Sequence, residues 1–253
     1  MLQEKWLVFS DVHGPWDDPR KVELILDIGQ DIGVTHVAIV GDLVDFTNLS
    51  THSPKSPDIP TTLEQEFDWG IEFFNKLRKR FPTQEILFIH GNHEWRLDRF
   101  ILKQSRPFWN ILTTDKQLQT EHFKIRTLPY NMAYQIPGTD IRLQHSPPSY
   151  SQNAAKTSAM HKMTGRWIWG CTHRPDSAFV FPFQGAKIET HCMGWLGTVD
   201  LTPEHFEVFR WTKGHERWGS SFCVIDIVKN LSHITHVVLD GYNCVLNGVY
   251  YEG

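Results

Sequence analysis

The chain has 253 residues, of which 40% are hydrophobic and 21% charged, and its formal net charge is −4 at pH 7. These proportions are ordinary for a soluble globular protein, and a chain of this length buries most of its apolar surface without disulfides. The negative charge and the pI near 6.4 argue against a protein that wraps DNA, but not against an enzyme that touches a few phosphates.

The cysteines and the start of the chain bear on its compartment. The four cysteines are well separated, and no two of them form a Cys-x-x-Cys motif. A disulfide framework is therefore not expected, which favours a reducing compartment. The first residues run directly into a strand-like segment, so we expect no signal peptide, and no apolar stretch approaches the length of a membrane span. These features predict a cytoplasmic protein.

Short apolar runs alternate with amphipathic segments in the first part of the chain. Lys5–Ser10 and Thr35–Val40 have the composition of buried strands. Between them we predict a helix that begins after Asp18, a capping residue, and stops at Gly33. Phe46–Pro60 is rich in Ser, Thr, Pro and Asn, which is typical of a loop.

A second helix is predicted over about Leu63–Arg80, where apolar residues are spaced by three and four. Either Thr61 or Thr62 is expected to cap it. Glu85–His90 has the pattern of a third buried strand, and Glu94–Gln104 that of a helix.

Strand-like patterns dominate the rest of the chain. Tyr130–Ile136 and Asp140–His145 are predicted strands on either side of a Pro-Gly turn. Asn153–Met163 is a predicted helix that leads to the strand Arg166–Trp169. No repeat, low-complexity tract or shift in composition marks a boundary, so we expect residues 1–253 to form one α/β domain.

Polar groups follow five of these predicted strands, often beside a Gly that allows a tight turn. The residues are Asp11, His13, Asp42, Asp45, Asn92, His93, Glu94, His145, Cys171 and His173. In open α/β sheets, functional sites form outside the carboxyl ends of the strands. If the strands are neighbours, these side chains meet at one edge of the fold.

The residue types at the strand ends suit divalent metal ions. Carboxylate and amide oxygens mixed with imidazole favour Mn, Fe, Zn or Ni over Ca or Mg alone. The candidate ligands are too many for one ion but suit two ions that share a bridging carboxylate. Two such ions clamp the attacking and leaving oxygens of a phosphoryl displacement and generate hydroxide at neutral pH.

The motifs in chain order are Asp-x-His, Gly-Asp-x-x-Asp, Gly-Asn-His-Glu, a later His and Gly-x-x-His, from Asp11 to His173. This series resembles the calcineurin-like metallophosphoesterase superfamily. Each motif alone is a weak signal, whereas four in register after strands are a strong one. The run GNHEWRLDRF is also similar to small stand-alone bacterial and phage members. The resemblance implies a four-layer αββα sandwich of two mixed β-sheets flanked by helices.

The resemblance also implies a role for each strand-end residue. The implied ligands of the first metal are Asp11, His13 and His173, and those of the second are Asn92, His145 and Cys171. Asp42 would bridge both ions. His93 would bind neither and would protonate the leaving-group oxygen, with Asp45 or a neighbour orienting its ring. Hydroxide bound to the metals would attack phosphorus.

Cys171 departs from the family pattern, which usually carries Gly-His-x-His where this chain has Gly-Cys-x-His. A thiolate ligand is chemically sound, because Cys binds Zn and Fe well and a metal lowers the pKa of the thiol. A covalent nucleophile is less favoured, because metal-activated water already supplies one. A small buried bystander is the third alternative, and we favour the ligand. His145 is followed by Ser rather than the commoner Gly, which is a smaller departure.

Structural interpretations stand beside these roles. Asp11 and Asp42 could cap the turns that follow them, and Asn92 could be a turn residue. Arg174 directly follows the site and is a candidate for binding a substrate phosphate, although it could equally pair with Asp176. His52 lies in the predicted loop, where it is favoured as a solvated histidine over one that reaches substrate. The other histidines are expected to be structural, among them His161, His191, His205 and His215.

The expected function is that of a dinuclear metal-dependent phosphoesterase, a phosphatase or phosphodiesterase acting on a small molecule, nucleotide or phosphoprotein. A DNA exonuclease of the same superfamily is an alternative, although the chain shows no basic patches. The alternative from a different class is a non-catalytic scaffold with a weakened second metal site. Cys171 mildly favours that scaffold, and His93 argues against it because a scaffold has little need of an acid.

Overall fold

The computed structural model describes residues 3–51, 61–151, 153–159, 164–181, 187–198 and 218–253. The first strands are β1 (Gln3–Phe9), β2 (His36–Val40), β3 (Glu85–Ile89), β4 (Arg126–Leu128), β5 (Tyr134–Gln135) and β6 (Ile141–Gln144). The later ones are β7 (Arg166–Trp169), β8 (Asp176–Val180), β9 (Ile188–Cys192), β10 (Ser221–Val228), β11 (Leu231–Val238), β12 (Asn243–Leu246) and β13 (Val249–Glu252). The helices are α1 (Pro19–Asp31), α2 (Leu63–Arg80), α3 (Glu94–Gln104), α4 (Trp109–Leu112), α5 (Thr114–Gln117) and α6 (Ala154–Ala159).

Two large sheets organise these strands, and both are mixed. The first has the order β11-β10-β1-β2-β3-β4, in which β1 to β4 are parallel and β10 and β11 are antiparallel to their neighbours. The second has the order β5-β6-β7-β9-β8, with β6, β7 and β9 parallel and the two outer strands antiparallel. The strands β12 and β13 form a separate hairpin.

The two sheets pack face to face. Val8, Val40 and Ile89 of the first sheet meet Leu143 and Ile168 of the second in one buried apolar cluster. Alternate residues of a strand point to opposite faces, so the apolar residues that alternate with these on β1 to β3 belong to a second buried cluster and face away from the second sheet. Each fully buried aliphatic side chain contributes about 1.5–3 kcal/mol, which makes this interface a main source of stability.

Helices cover the outer faces of both sheets. Ile25 of α1 and Phe74 of α2 lie in the cluster that covers the outer face of the first sheet. On the second sheet, Ala154 and Ala155 of α6 pack against Trp169. The layers are therefore helix, sheet, sheet and helix, which confirms the predicted αββα sandwich. No helix among the described residues is both long and apolar enough to cross a membrane.

The sequence signals at the helix ends are largely confirmed. The Asp18 side chain accepts a hydrogen bond from the backbone N–H of Arg20, and α1 starts at Pro19. At α2 the cap is Thr62, which forms a reciprocal capping box with Gln65. These side chains satisfy N–H groups that the first turn of a helix leaves without partners.

Two predicted elements are shorter than expected. The strand predicted over Tyr130–Ile136 is reduced to β5, because Asn131 has a left-handed backbone with φ of 66° that interrupts an extended chain. The helix predicted over Asn153–Met163 is observed as α6, and residues 160–163 lie outside the described residues. Most of the predicted loop Phe46–Pro60, residues 52–60, also lies outside them.

Candidate metal centre

The loops that follow β1, β2, β3, β6 and β7 meet at one edge of the sandwich. The residues they bring together, which we call the strand-end cluster, are Asp11, His13, Asp42, Asp45, Asn92, His93, His145, Cys171 and His173. Backbone contacts join the loops. The N–H of Asp11 donates to the carbonyl of Gly41 at 3.0 Å, and the N–H of Cys171 donates to the Asp11 carboxylate at 2.9 Å.

The backbone of this cluster is unusual. Five of its residues have left-handed conformations, with φ between 50° and 68°, and they are Asp11, His13, Asp42, Cys171 and His173. Such a conformation costs about 1–2 kcal/mol for a residue with a Cβ atom. It persists where the surrounding structure over-determines it, and it concentrates at functional sites.

Two glycines allow the loops to approach each other. Gly41 has φ of 85°, and a Cβ atom on it would lie 2.3 Å from Nδ1 of His145. A Cβ atom on Gly91 would lie 2.0 Å from Oδ1 of Asp42. Both distances are far inside van der Waals contact, so any larger residue would displace a candidate ligand.

The first group of donors contains Asp11, His13, Asp42 and His173. All four are buried, and one donor atom from each lies within 4.8 Å of the others. Nε2 of His173 is 3.0 Å from Nε2 of His13 and 3.1 Å from Oδ1 of Asp11. Two donors bound at right angles to one ion, each at about 2.1 Å, lie about 3.0 Å apart. The spacing therefore fits ligands of a common ion.

The second group shares Asp42 with the first. Nε2 of His145 lies 3.1 Å from Oδ2 of Asp42 and 3.1 Å from Oδ1 of Asn92. Sγ of Cys171 also lies 3.1 Å from that amide oxygen. Because Asp42 belongs to both groups, it occupies the position expected of a bridging carboxylate.

The hydrogen bonds of His145 test whether these groups fit a cation. Its Nδ1 lies 2.7 Å from the carbonyl of Val40, which can only accept, so this nitrogen carries a proton. In the neutral ring, the lone pair of Nε2 then faces the oxygens of Asp42 and Asn92. Acceptors that converge in this way repel one another unless a proton or a cation lies among them. The donor set therefore fits a metal ion.

The pKa values of His13 and Asp42 also indicate that this site favours positive charge. Burial lowers the pKa of His13, but its hydrogen bonds to Asp11 and Asp45 and the nearby charges outweigh burial and raise the pKa to about 10. Burial raises the pKa of Asp42, but the surrounding histidines, His145 foremost, hold it well below its usual value. The field inside the cluster thus keeps carboxylates ionised and attracts cations.

His93 lies beside the donor groups and is held by Asp45. Its Nδ1 lies 2.8 Å from the carbonyl oxygen and 2.9 Å from Oδ1 of Asp45. Its Nε2 is 3.6 Å from Oδ2 of Asp42 and accepts a hydrogen bond from Arg96 at 3.0 Å. Burial and the charge of Arg96 lower the pKa of His93, so the ring is neutral in this arrangement. Asp45 also accepts from Nδ1 of His13 at 2.8 Å, so one carboxylate orients two rings.

Glu94 holds two loops of the site together, a role that the sequence did not indicate. Its fully buried carboxylate accepts four backbone N–H groups, from Asp42, Leu43, Val44 and Gly91, at 2.7–3.0 Å. It therefore fastens the loop after β2 to the loop after β3. Glu94 also begins α3, and nothing in the local sequence pattern shows that a single side chain serves both loops.

Two arginines lie close to these loops along the chain. Arg96 donates to the carbonyl of Asp45 at 2.8 Å and to His93, a role that sequence reasoning missed although its three-residue spacing from His93 on a helix is the available signal. Arg174 directly follows His173, and among the described residues its buried Nε has no hydrogen-bond partner. Its binding of substrate stays a prediction.

A second group of histidines lies away from the strand-end cluster. We call it the edge network, since it joins the edge strands β8 and β11 through Ser177, Glu189, His191, Ser221 and His236. Oγ of Ser177 lies 2.8 Å from Nδ1 of His191 and 2.7 Å from Nδ1 of His236. The loop residue His52 and the other histidines expected to be structural, His161, His205 and His215, lie outside the described residues.

The fold and the strand-end cluster can now be compared with known proteins. Residues 5–176 match the model of the calcineurin-like phosphoesterase family, and this match includes the whole strand-end cluster. The chain belongs to that family. A comparison with curated protein sequences gives no match.

Solved structures are similar to the chain over most of its length. Vps29 from Chaetomium thermophilum, in complex with a cyclic peptide, is 11% identical with a TM-score of 0.50, covering 100% of this chain and 98% of that one. A dimetal phosphatase from Danio rerio is 10% identical with a TM-score of 0.45, covering 92% and 95%. At such identities the likeness concerns the fold.

Proposed function

We propose that this chain is a metal-dependent phosphoesterase that hydrolyses phosphate mono- or diesters, with His93 as its general acid. The observation that carries the proposal is the convergence of imidazole, carboxylate, amide and thiol donors at one sheet edge, beside a histidine oriented by Asp45. Membership of the calcineurin-like phosphoesterase family supports it.

The cluster is proposed to hold two divalent ions, of Mn, Fe, Zn or Ni. The proposed ligands are Asp11, His13 and His173 for one ion, Asn92, His145 and Cys171 for the other, and Asp42 for both. When bound, such ions supply a water nucleophile at neutral pH and neutralise the charge of the phosphoryl group. The imidazole-rich set favours transition metals over Mg or Ca.

His93 and Arg96 supply the protein's part in the reaction. Asp45 holds Nδ1 of His93, so Nε2 is the atom that can deliver a proton to the leaving oxygen. In the substrate-free chain, Nε2 accepts from Arg96 and the ring is neutral. An anionic phosphate group favours the protonated ring and competes for the guanidinium. We assign Arg96 to the phosphate and the proton on Nε2 of His93 to the leaving group.

The proposal is tested by assaying the purified protein on a chromogenic phosphate monoester and diester, after EDTA treatment and after adding back each of Mn, Fe, Zn, Ni and Mg. We expect metal-dependent turnover of at least one ester. His93→Ala should lower kcat about 10²–10⁴-fold, the range for a positioned general acid. The matched control is His233→Ala, because His233 is exposed on β11 and away from the cluster. Protein loaded with two ions that hydrolyses neither ester would sink the proposal.

A non-catalytic role for the same fold is the second candidate. The observation that favours it is Cys171, since a cysteine at this position weakens the second ion if the thiol does not bind. The likeness to Vps29 bound to a cyclic peptide is compatible with such a role but concerns the fold alone. Metal binding without hydrolysis would favour this candidate. A nuclease is less favoured, because the net charge of −4 supplies no broad attraction for a nucleic acid backbone.

We also infer that the protein works in the cytoplasm. All four cysteines are free thiols, and three of them are buried, which is typical of a reducing compartment.

A further inference from the structure

A cavity of about 320 Å³ lies beside the strand-end cluster, between α3, α4 and the segment that joins β4 to β5. Its walls include the aromatic rings of Trp95, Trp109 and Tyr130, and its polar lining includes His90, Asp98 and Asp115. None of these residues is a metal ligand or the general acid of the proposed reaction.

The two rings nearest the cluster face each other. Trp95 and Tyr130 have centroids 6.4 Å apart, and their planes are inclined by only 25°. This separation is near the upper end of the range for stacked aromatic pairs, so neither ring covers the face of the other closely. Each ring is half-buried and lines the cavity, which leaves aromatic surface for a planar ligand.

The cavity adjoins the residues that would hold the phosphate. Trp95 lies on the first turn of α3, two residues after His93. The hydroxyl of Tyr130 accepts a hydrogen bond at 3.2 Å from Ser146, the residue after His145. One wall therefore follows the general acid and the other touches the neighbour of a proposed metal ligand.

The polar residues of the cavity determine which kind of substituent of a phosphate ester it can bind. Oδ1 of Asp98 accepts from Thr114, whereas its Oδ2 is 3.9 Å from Nδ1 of His90, which is too long for a hydrogen bond. That oxygen retains its capacity to accept. Asp115 adds a second carboxylate, which accepts from Nε2 of His90. Two carboxylates repel a phosphate, so the phosphate belongs at the metal centre and a neutral group with N–H donors belongs in the cavity.

We propose that this cavity binds an amino-bearing nucleobase, stacked on Trp95 and Tyr130 with its amine directed to Asp98, so that the substrates are nucleotide-type phosphate esters. The proposal rests on the proposed function for the position of the phosphate. Among substituents of biological phosphates, a nucleobase combines a planar aromatic ring with an exocyclic amine, and base–aromatic stacking tolerates several ring types.

The first test measures binding without turnover. Adenosine, which has no phosphate, is titrated by calorimetry into EDTA-treated protein and into the variants Trp95→Ala and Trp95→Phe. Stacking of one base on an aromatic side chain predicts that Trp95→Ala weakens binding about 10–100-fold, while Trp95→Phe stays within about threefold. Phe100→Ala is the matched control, because Phe100 is an exposed aromatic residue on the same helix, and it should leave binding unchanged.

The second ligand tests the amine. Purine riboside has the same ring as adenosine without the exocyclic amine, and we expect it to bind at least about tenfold more weakly, as for a lost hydrogen bond to a charged group. The proposal is overturned if adenosine does not bind, if Trp95→Ala binds it as wild type does, or if purine riboside binds equally well. The Trp95→Phe variant guards against a loss of folding in Trp95→Ala.

Failure of this proposal and failure of the proposed function give different results. A protein that hydrolyses chromogenic esters but neither binds adenosine nor prefers AMP to glycerol phosphate is a phosphoesterase without the nucleobase site. A protein that binds adenosine through Trp95 but hydrolyses no ester has the nucleobase site without the enzymatic function.

Discussion

The strand-end cluster and the edge network are both built from histidines, carboxylates and a cysteine or serines, yet their hydrogen bonds differ in kind. In the edge network every donor meets an acceptor. Glu189 accepts from Nε2 of His191 at 2.9 Å, so Nδ1 of that ring accepts from Ser177. Ser177 in turn accepts from Nδ1 of His236, whose Nε2 accepts from Ser221. With the hydrogen bonds running in this one direction, each donor in the series has an acceptor.

With neutral imidazole rings, the strand-end cluster cannot be satisfied in this way, because it needs added protons or a cation among its acceptors. Nδ1 of His145 donates to a backbone carbonyl, and its Nε2 faces two oxygens. Nδ1 of His13 donates to Asp45, and its Nε2 faces Nε2 of His173 at 3.0 Å. A histidine group whose neutral rings leave acceptors facing acceptors thus indicates a metal site. A histidine group whose donors and acceptors balance indicates a structural role.

The largest expected difference between the two regions is in activity. Asp42→Asn removes the carboxylate shared by both donor groups, and we expect kcat to fall about 10³-fold, since a bound metal pair contributes several kcal/mol to the transition state. Glu189→Gln, which removes the carboxylate of the edge network, should leave kcat within about twofold. Steady-state kinetics on the better ester measures both. Equal losses of kcat in the two variants would contradict a catalytic role for the strand-end cluster and a structural role for the edge network.

Glu94→Gln tests what holds the strand-end cluster together. An amide oxygen cannot replace both carboxylate oxygens toward four backbone N–H groups, so buried donors are left without partners. We expect the free energy of unfolding to fall by about 3 kcal/mol and metal affinity to weaken with it. Urea denaturation of the metal-free protein measures the first effect. Glu121→Gln, on a side chain that is 93% exposed, is the control and should change nothing.

Cys171 variants test the donor that departs from the family pattern. Cys171→Ala should weaken the second ion about 10–100-fold, a range seen when groups that support a metal site are lost, whereas Cys171→His should preserve or tighten it. Metal content after dialysis and competition with a chelator give the affinities. Cys244→Ala is the control, because that thiol lies on the β12–β13 hairpin. If Cys171→Ala binds two ions as tightly as wild type, the cysteine is a bystander.

The smallest expected effect is on the stability of the edge network. Burial raises the pKa of Glu189, but its bonds to His191 and Lys187 outweigh burial and lower it from 4.5 to about 2. A carboxylate with a lowered folded pKa adds stability above its unfolded pKa and loses that contribution as the pH falls through the folded pKa. Glu189→Gln should therefore cost about 1–2 kcal/mol at pH 7, and the difference should shrink as the pH falls from about 5 towards 2.

Chemical denaturation of wild type and Glu189→Gln at pH 7 and pH 3 measures this dependence. A loss of the same size at both values would mean that packing, and not the charge of Glu189, stabilises the edge. In Glu189→Gln the metal content is expected to stay at the wild-type level, because none of the hydrogen bonds of the edge network joins it to a proposed ligand.

Much of the fold and of the candidate site follows from local sequence. The boundaries of α2 and α3 and of the strand β7 are predicted closely, because caps, apolar spacing and turn residues are properties of neighbouring positions. The prediction fails at Tyr130–Ile136, where the left-handed conformation of Asn131 interrupts an extended segment that composition alone favours.

By itself the sequence determined which donors follow the strands and in what order, from Asp11 to His173, because each motif lies within one tight turn. That order resembles the calcineurin-like phosphoesterase family, and the resemblance implies the two mixed sheets and the convergence of these donors. Only the tertiary structure decided which groups face one another. Glu94 reaches two loops, Trp95 meets Tyr130, and Ser177 lies between two histidines through contacts made across sheets and between distant segments. Register and packing set such contacts, and a one-residue shift in any strand would turn the same side chains to the opposite face.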